Sequence, residues 1–573
     1  MANHLKVFAD ETAYSAFTAT TAYVTPNVSV CSGGGGSIFY NPKHDYSKDY
    51  FTLVALEDGQ FKITGDEIEA IPMESHYYSI DNGQTWTELP IDTYTPTISA
   101  GNKVLWKNNM SPEYGVGTVS STGMFDAQGN VMSLVYGDNF ANQTSLEGYD
   151  YALSLLFYDS NIRNANNLSL PATTLAQRCY DSMFYRCTSL VKAPKLPATT
   201  LADFCYQYMF NGCASLATAP ELPATTLAQS CYSSMFEGTN VLPDCSNIDF
   251  TSQTVVASGG LQGLFAGTNI TDNDLEQILP KDNNGKYCLP VTSLTDDCYA
   301  FMFYGCTSLT TAPELPATEL ADYCYTNMFA ACTSLATAPE LPATTLAEYC
   351  YFHMFEKCTS LATATELPAT ALAQDCYAYM FIGCTSLKTA PSVLPAATLS
   401  DRCYEAMFSG CTSLATVPEL PAETLARKCY GSMLARCTSL TTAPELPANT
   451  LASGCYSSMF AGCSSLTKAP VLSATTLAEY CYGSMFERCT SLTTAPALPA
   501  NTLTNRCYSS MFSGCTSLNS ITCLATDISA IDCTFNWVDG VASSGTFTKA
   551  ASMTRWTTGV KGIPSGWTVE EKS

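Results

Sequence analysis

The stretch LPATTLAEYCYFHMFEKCTSLATATE, from Leu341 to Glu366, decides the fold, because near copies of it fill most of the chain. Its Cys-Tyr pair recurs at Cys179, Cys205, Cys231, Cys298, Cys324, Cys350, Cys376, Cys403, Cys429, Cys455, Cys481 and Cys507, with steps of 26 residues almost throughout. One step, from Cys376 to Cys403, is 27 residues, and the long gap after Cys231 hides a degraded copy at Leu264-Phe265-Ala266-Gly267-Thr268. That makes thirteen units. A fixed period of this size marks a solenoid, in which each unit buries its apolar face only by stacking on its neighbours.

Within a unit, Leu346, Cys350, Met354 and Cys358 recur every four residues, with Ala347, Tyr351 and Phe355 in a row beside them. That spacing predicts a helix. Thr345 stands three residues before Glu348, the arrangement of a capping box, and Thr174 with Gln177, Thr226 with Gln229 and Thr476 with Glu479 repeat it. The proline-rich Thr-Ala-Pro-Glu-Leu-Pro that follows in several copies is too short for helix and reads as a short strand or bridge. Layers paired at strand spacing, about 4.8 Å, would stack thirteen units into a rod or shallow horseshoe on the order of 60 Å long.

Of the 28 cysteines, 23 occupy just two repeat positions, those of Cys350 and Cys358. Their periodicity identifies them as small apolar residues stacked in the core. On one helical face they would lie about 12 Å apart, too far to bridge, so a disulfide could form only between neighbouring layers. No Cys-x-x-Cys occurs, and the only histidines are His4, His44, His76 and His353, so no metal site and no cofactor is expected. With no paired nucleophile and base, no catalytic residue is assigned and the chain is expected not to be an enzyme.

A net charge of −25 disfavours nucleic acid and anionic lipid as partners. No apolar run is long enough to span a bilayer, and Met1-Ala2-Asn3-His4-Leu5-Lys6 lacks the apolar core of a secretory signal, so export is not expected.

Outside the repeats the pattern changes. Residues 1–45 hold short strand-like pieces around the glycines at 33–36 and suit a docking segment and linker. Residues 46–125 alternate apolar and polar, with turn signals at Asp58-Gly59 and Asp81-Asn82-Gly83, as in a small antiparallel β domain anchored by Trp86 and Trp106. Residues 126–169 contain a degenerate first layer at Leu156-Phe157 and form an N-terminal cap; 170–520 are the solenoid; 521–573 read as a β-rich C-terminal cap. The irregular 240–288 segment reads as polar loop material emerging from one side of the stack, as a solvated loop or a binding face.

The recurring Met354-Phe355-Glu356-Lys357-Cys358-Thr359-Ser360-Leu361 resembles the BspA-like leucine-rich repeats of bacterial surface proteins, over roughly residues 150–520. The copies are longer than the common family repeat, and Met-Phe replaces its usual Ala-Phe. The resemblance implies an α/β, leucine-rich-repeat-like solenoid and adhesion rather than catalysis. Val28-Ser29-Val30 and Ile38-Phe39-Tyr40-Asn41-Pro42 are similar to the start of virion proteins of Bacteroides-infecting, crAss-like phages. This implies a phage fibre or decoration protein, assembled in the host cytoplasm and docked on other virion proteins by its N-terminus. It would present the solenoid to a host protein or glycan, with homo-oligomers allowed. The alternatives are a BspA-type adhesin at the bacterial surface and a structural spacer without ligand.

Two repeat positions vary in a way that suits binding. Tyr208, Phe301, His353 and Tyr379 precede Met in the earlier copies, where Ser432, Ser458, Ser484 and Ser510 stand later; such a row could stack on sugars or anchor a protein, or simply pack. Glu314, Glu340 and Glu366 share another position and predict an acidic ridge, solvated or drawing a cation such as calcium.

Overall fold

The computed structural model describes residues 44–65, 71–72, 74–239, 248, 250 and 255–572. The docking segment expected at the N-terminus lies almost wholly outside them. The first described unit is a six-stranded sheet whose spatial order is Ile162–Ser169, Phe125–Asn130, Phe51–Ala55, Lys103–Lys107, Ser75–Ser79 and Thr87–Pro90. The strands other than Ile162–Ser169 pair antiparallel, with Phe51 opposite Trp106 and Thr52 opposite Gln128. Phe51, Leu53, Val104, Trp106 and Phe125 fill its core. Trp86 does not join them: it lies at the surface, 4.9 Å from the Tyr50 ring and 4.3 Å beneath the Lys107 ammonium.

The sheet also starts the repeats. Ile162–Ser169 runs parallel to Phe125–Asn130, and Asn164 bridges onward to Lys192 of the next layer. Val116 and Val119 donate their backbone N–H groups to Ala152 and Leu156 of the first layer. The β unit thus covers the end of the stack, which would otherwise present unpaired backbone to water.

Among the described residues, the stretches whose spacing predicts helix are ribbons of turns instead. Where helices are expected, every fourth residue has a positive φ: Tyr349 (54°), His353 (53°) and Lys357 (56°) in the opening stretch. The same triplet recurs from Tyr151, Leu155 and Asp159 through to Asp532, Asn536 and Gly540, so a layer precedes the thirteen units and another follows them. The left-handed corners change where the amides point. Tyr349, Tyr351, His353, Phe355 and Lys357 donate to Gln374, Cys376, Ala378, Met380 and Ile382 of the next layer. The residues between them, Phe352, Met354, Glu356 and Cys358, donate three residues back within their own layer. Each layer is therefore a ribbon of tight turns bonded to its neighbour at every second residue. An α-helix would point all these amides along its own axis and leave the layers joined by side chains alone.

This geometry explains the period of four. In each group of four, the corner residue faces outward, the next two face inward, and the fourth lies at the edge. Cys350, Tyr351, Met354, Phe355 and Cys358 are accordingly buried to within 1% of full coverage. The capping boxes expected at Thr345 and its equivalents give way to another role, since Thr345 forms a parallel bridge to Ala371. A capping box does occur at Thr271 and Asp274, where it starts the helix Asp272–Ile278 inside the segment expected to be loop.

Beyond the ribbon, the proline-rich segment makes only isolated parallel bridges, such as Thr311 to Thr337, Thr363 to Thr389 and Thr442 to Lys468. Proline has no N–H to extend them. Where proline disappears, the bridges become a parallel three-stranded sheet, Ser520–Cys523, Thr546–Ala550 and Thr568–Lys572, which closes the far end.

Inside, identical side chains stack in columns. Tyr325, Tyr351, Tyr377, Tyr404 and Tyr430 lie with ring centres 5.6–5.8 Å apart. The phenylalanine column through Phe303, Phe329, Phe355 and Phe381 runs beside it at 5.4–5.7 Å. The described cysteines are free thiols. Those of the second column donate to a carbonyl one layer back, as Cys358 Sγ does to Phe329 O at 3.0 Å and Cys384 Sγ to Phe355 O at 3.0 Å. In the degraded copy Thr268 stands at this position, and its hydroxyl donates instead within its own layer, to Phe265 O at 2.8 Å. Both residue types at this position donate to a phenylalanine carbonyl.

Candidate functional site

A left-handed corner turns its side chain out of the core, so the row before Met becomes a surface feature. Tyr208, Phe301, His353 and Tyr379 all occupy it, with φ between 53° and 60°, and all are partly exposed. They do not form one ladder. Asn327 separates Phe301 from His353, and Ser234 and Gly263 separate Tyr208 from Phe301. Only His353 and Tyr379 meet, stacked at 4.6 Å with 3° between their planes.

Around that pair the structure adds rings from other rows. Phe352 packs edge-on to His353 at 4.3 Å and to Tyr379 at 5.6 Å. Tyr349 meets Phe352 at 5.3 Å and stacks on Tyr323 at 4.7 Å. The result is a patch of five rings across three layers, ending in the exposed Tyr323. Smaller groups surround the other two residues. Tyr208 lies edge-on to Tyr185, which stacks on Tyr158 at 5.2 Å, and Phe301 lies 5.9 Å from Tyr304. Tyr323, Tyr349 and Phe352 were readable from the sequence as aromatics at two further repeat positions, beside Cys-Tyr. The row before Met, taken alone, does not include them.

Polar contacts hold the patch in place. His353 Nδ1 donates to Glu356 Oε2 at 2.6 Å, and Lys357 Nζ reaches the other oxygen at 2.8 Å. Hydrogen bonding to His353, with help from Lys357, holds the Glu356 carboxyl down to about 2. Gln374 Nε2 donates to Tyr349 Oη at 3.0 Å. Arg402 bridges the buried Asp375 carboxylate, at 3.1 Å, and Glu405 beside Tyr379. Rings fixed in this way lose little freedom when a ligand covers them.

The acidic row is less uniform than its spacing suggests. Glu314 is paired with Lys286 Nζ, and Glu366 accepts from the Ser392 amide and hydroxyl at 3.2 and 3.0 Å, whereas Glu340 is exposed. Among the described residues no group of three or more His, Cys, Asp or Glu side chains is placed to hold a metal ion. Another acidic row has a structural role that its spacing did not reveal. Asp296 Oδ1 accepts from the Asp322 amide at 3.1 Å and Asp322 Oδ1 from the Glu348 amide at 2.9 Å, each one layer on.

Residues 293–415 and 393–519 match the family model of the BspA type leucine rich repeat region, in six copies. Over that part of the chain the repeats are similar to leucine-rich repeats of this type. A solved leucine-rich repeat protein from Bacteroides ovatus ATCC 8483 is 17% identical, with 68% of this chain and 86% of that one covered and a TM-score of 0.36. No curated protein matches the sequence. The described repeats are rich in turns and parallel bridges and poor in helix, which corrects the α/β expectation. Among the described residues no helix is long and apolar enough to cross a membrane.

Proposed function

We propose that the chain is a non-enzymatic adhesion protein whose leucine-rich repeats present the aromatic patch around His353 and Tyr379 to a glycan or protein on a cell surface. The observation that carries this is the patch itself: five contacting rings, fixed by hydrogen bonds, on the outside of a stack whose Cys-Tyr and Met-Phe rings are buried in columns. In the later copies serine takes the row, so the aromatic face belongs to one half of the stack.

In this reading the chain rides on a phage particle, held through residues 1–45 by other virion proteins; the likeness of Ile38-Phe39-Tyr40-Asn41-Pro42 to virion proteins supports that carrier. The family match favours a second carrier, a bacterial surface bearing the same adhesive stack. Immunogold labelling separates them: label on purified particles supports the first, and label on uninfected cells the second. Adhesion is tested by binding of the labelled full chain to Bacteroides cells. His353→Ala with Tyr379→Ala is expected to weaken binding at least tenfold, and undiminished binding refutes the patch and leaves a structural spacer.

A further inference from the structure

We propose that a groove on the N-terminal β unit is a separate ligand site that takes an uncharged sugar unit. It lies between strand Ser75–Ser79, the end of strand Lys103–Lys107 and the 3-10 turn Gly137–Asn142, and has a volume of about 610 Å³. That is the size of a small-molecule site.

The floor is rigid and already satisfied. Asn108 Nδ2 donates to Ser75 O at 2.7 Å and to His76 Nδ1 at 3.2 Å, while His76 Nε2 donates to Val116 O at 3.0 Å. Burial holds His76 neutral by pushing it down to about 4. The cation in the lining, Lys107, is also occupied: its Nζ donates to both oxygens of Asp138, at 2.7 and 2.9 Å. Tyr50 Oη donates to the same carboxylate at 2.7 Å. With Glu74 on the rim as well, the groove has no spare positive charge to bind a phosphate or carboxylate.

What the lining leaves unused is specific. Tyr77, Tyr114 and Tyr136 supply ring surface, and the side chains of Glu74, Asn109 and Asn139 make no hydrogen bond with the described residues. A pyranose has an apolar C–H face to lie on a ring and a rim of hydroxyls to meet amides and a carboxylate. An extended apolar segment would leave those three polar side chains covered without partners, at a cost.

Isothermal titration of the full chain with neutral hexasaccharides of glucose, mannose, xylose and N-acetylglucosamine, beside an oligoglucuronate, tests the site. At least one neutral sugar is expected to bind, with Tyr77→Ala and Asn109→Ala each weakening it tenfold or more and His353→Ala leaving it unchanged. Tyr77 and Asn109 are exposed, and an unaltered thermal melt shows that the variants fold. Failure of all four neutral sugars to bind, stronger binding of oligoglucuronate, or affinity that survives both substitutions overturns the proposal. Because the His353 patch is assayed on cells, the two readings fail independently.

Discussion

Raising the pH from 7.5 to 10 should loosen the stack from within. Burial keeps the ladder thiols protonated: Cys205, Cys306, Cys376, Cys455 and Cys515 are each pushed up to about 12 from an ordinary 9.0. Because the folded values lie above the unfolded one, the unfolded chain releases protons that the native state retains. The stabilisation is complete below pH 9 and is lost as the pH rises from there towards 12. At pH 10 an unfolded thiol is about nine-tenths ionised and a folded one scarcely at all, a difference on the order of 1 kcal/mol per thiol. Together these five would cost several kcal/mol, a large share of the whole stability of many domains. Buried Tyr180 and Tyr325, raised well above their ordinary range, act in the same direction. The assay is the urea midpoint followed by circular dichroism across this pH range, paired with Ellman titration of thiols at pH 8. Added salt should not restore the loss, because desolvation rather than charge repulsion causes it. Among the described cysteines, half-exposed Cys288 should react first, and the columns only on unfolding. A midpoint unchanged at pH 10, or ready reaction of the ladder thiols in the native protein, would refute the reasoning.

Three further outcomes follow from the geometry. The far-UV spectrum should lack a pronounced helical minimum at about 222 nm, since the described helices are Ser133–Tyr136, Asp272–Ile278 and short 3-10 turns; a strongly helical spectrum would contradict the turn ribbon. Gly383→Val should lower stability by about 2 kcal/mol in thermal or urea melts, because a β-branched residue is strained at φ 74° and its Cβ would sit 3.3 Å from Lys357 Cγ; an unchanged melt would argue against the left-handed corner. Asp322→Ala should cost about 1 kcal/mol by the same measurement, by removing the 2.9 Å bond from the Glu348 amide, while Asp322→Asn, which keeps the acceptor, should cost less; equal losses would show that the bond does not matter.

Much of the plan was legible in Leu341 to Glu366. The period, the burial of Cys350, Tyr351, Met354, Phe355 and Cys358, and the bridging role of the proline-rich segment follow from which residues recur. The helix did not follow, although the sequence carried a warning. A strict spacing of four drifts off one face of a 3.6-residue helix, and glycine recurs before the second cysteine at Gly305, Gly383, Gly410, Gly462 and Gly514, each with positive φ. That pattern signals a corner repeated every four residues.

What the sequence by itself determined is a stack of equivalent layers with a thiol and aromatic interior, because a repeated side chain must meet its own copy one layer away. Only the tertiary structure decided how the layers are bonded and which surface residues meet. Alternate amides point to the next layer only once that layer is present. The two candidate sites likewise depend on stacking: Tyr323, Phe352 and Tyr379 come from successive layers, and the groove joins Glu74 to Asn139 across a sheet. Spacing along one chain does not encode those contacts, because each is made between segments that packing, not adjacency, brings together.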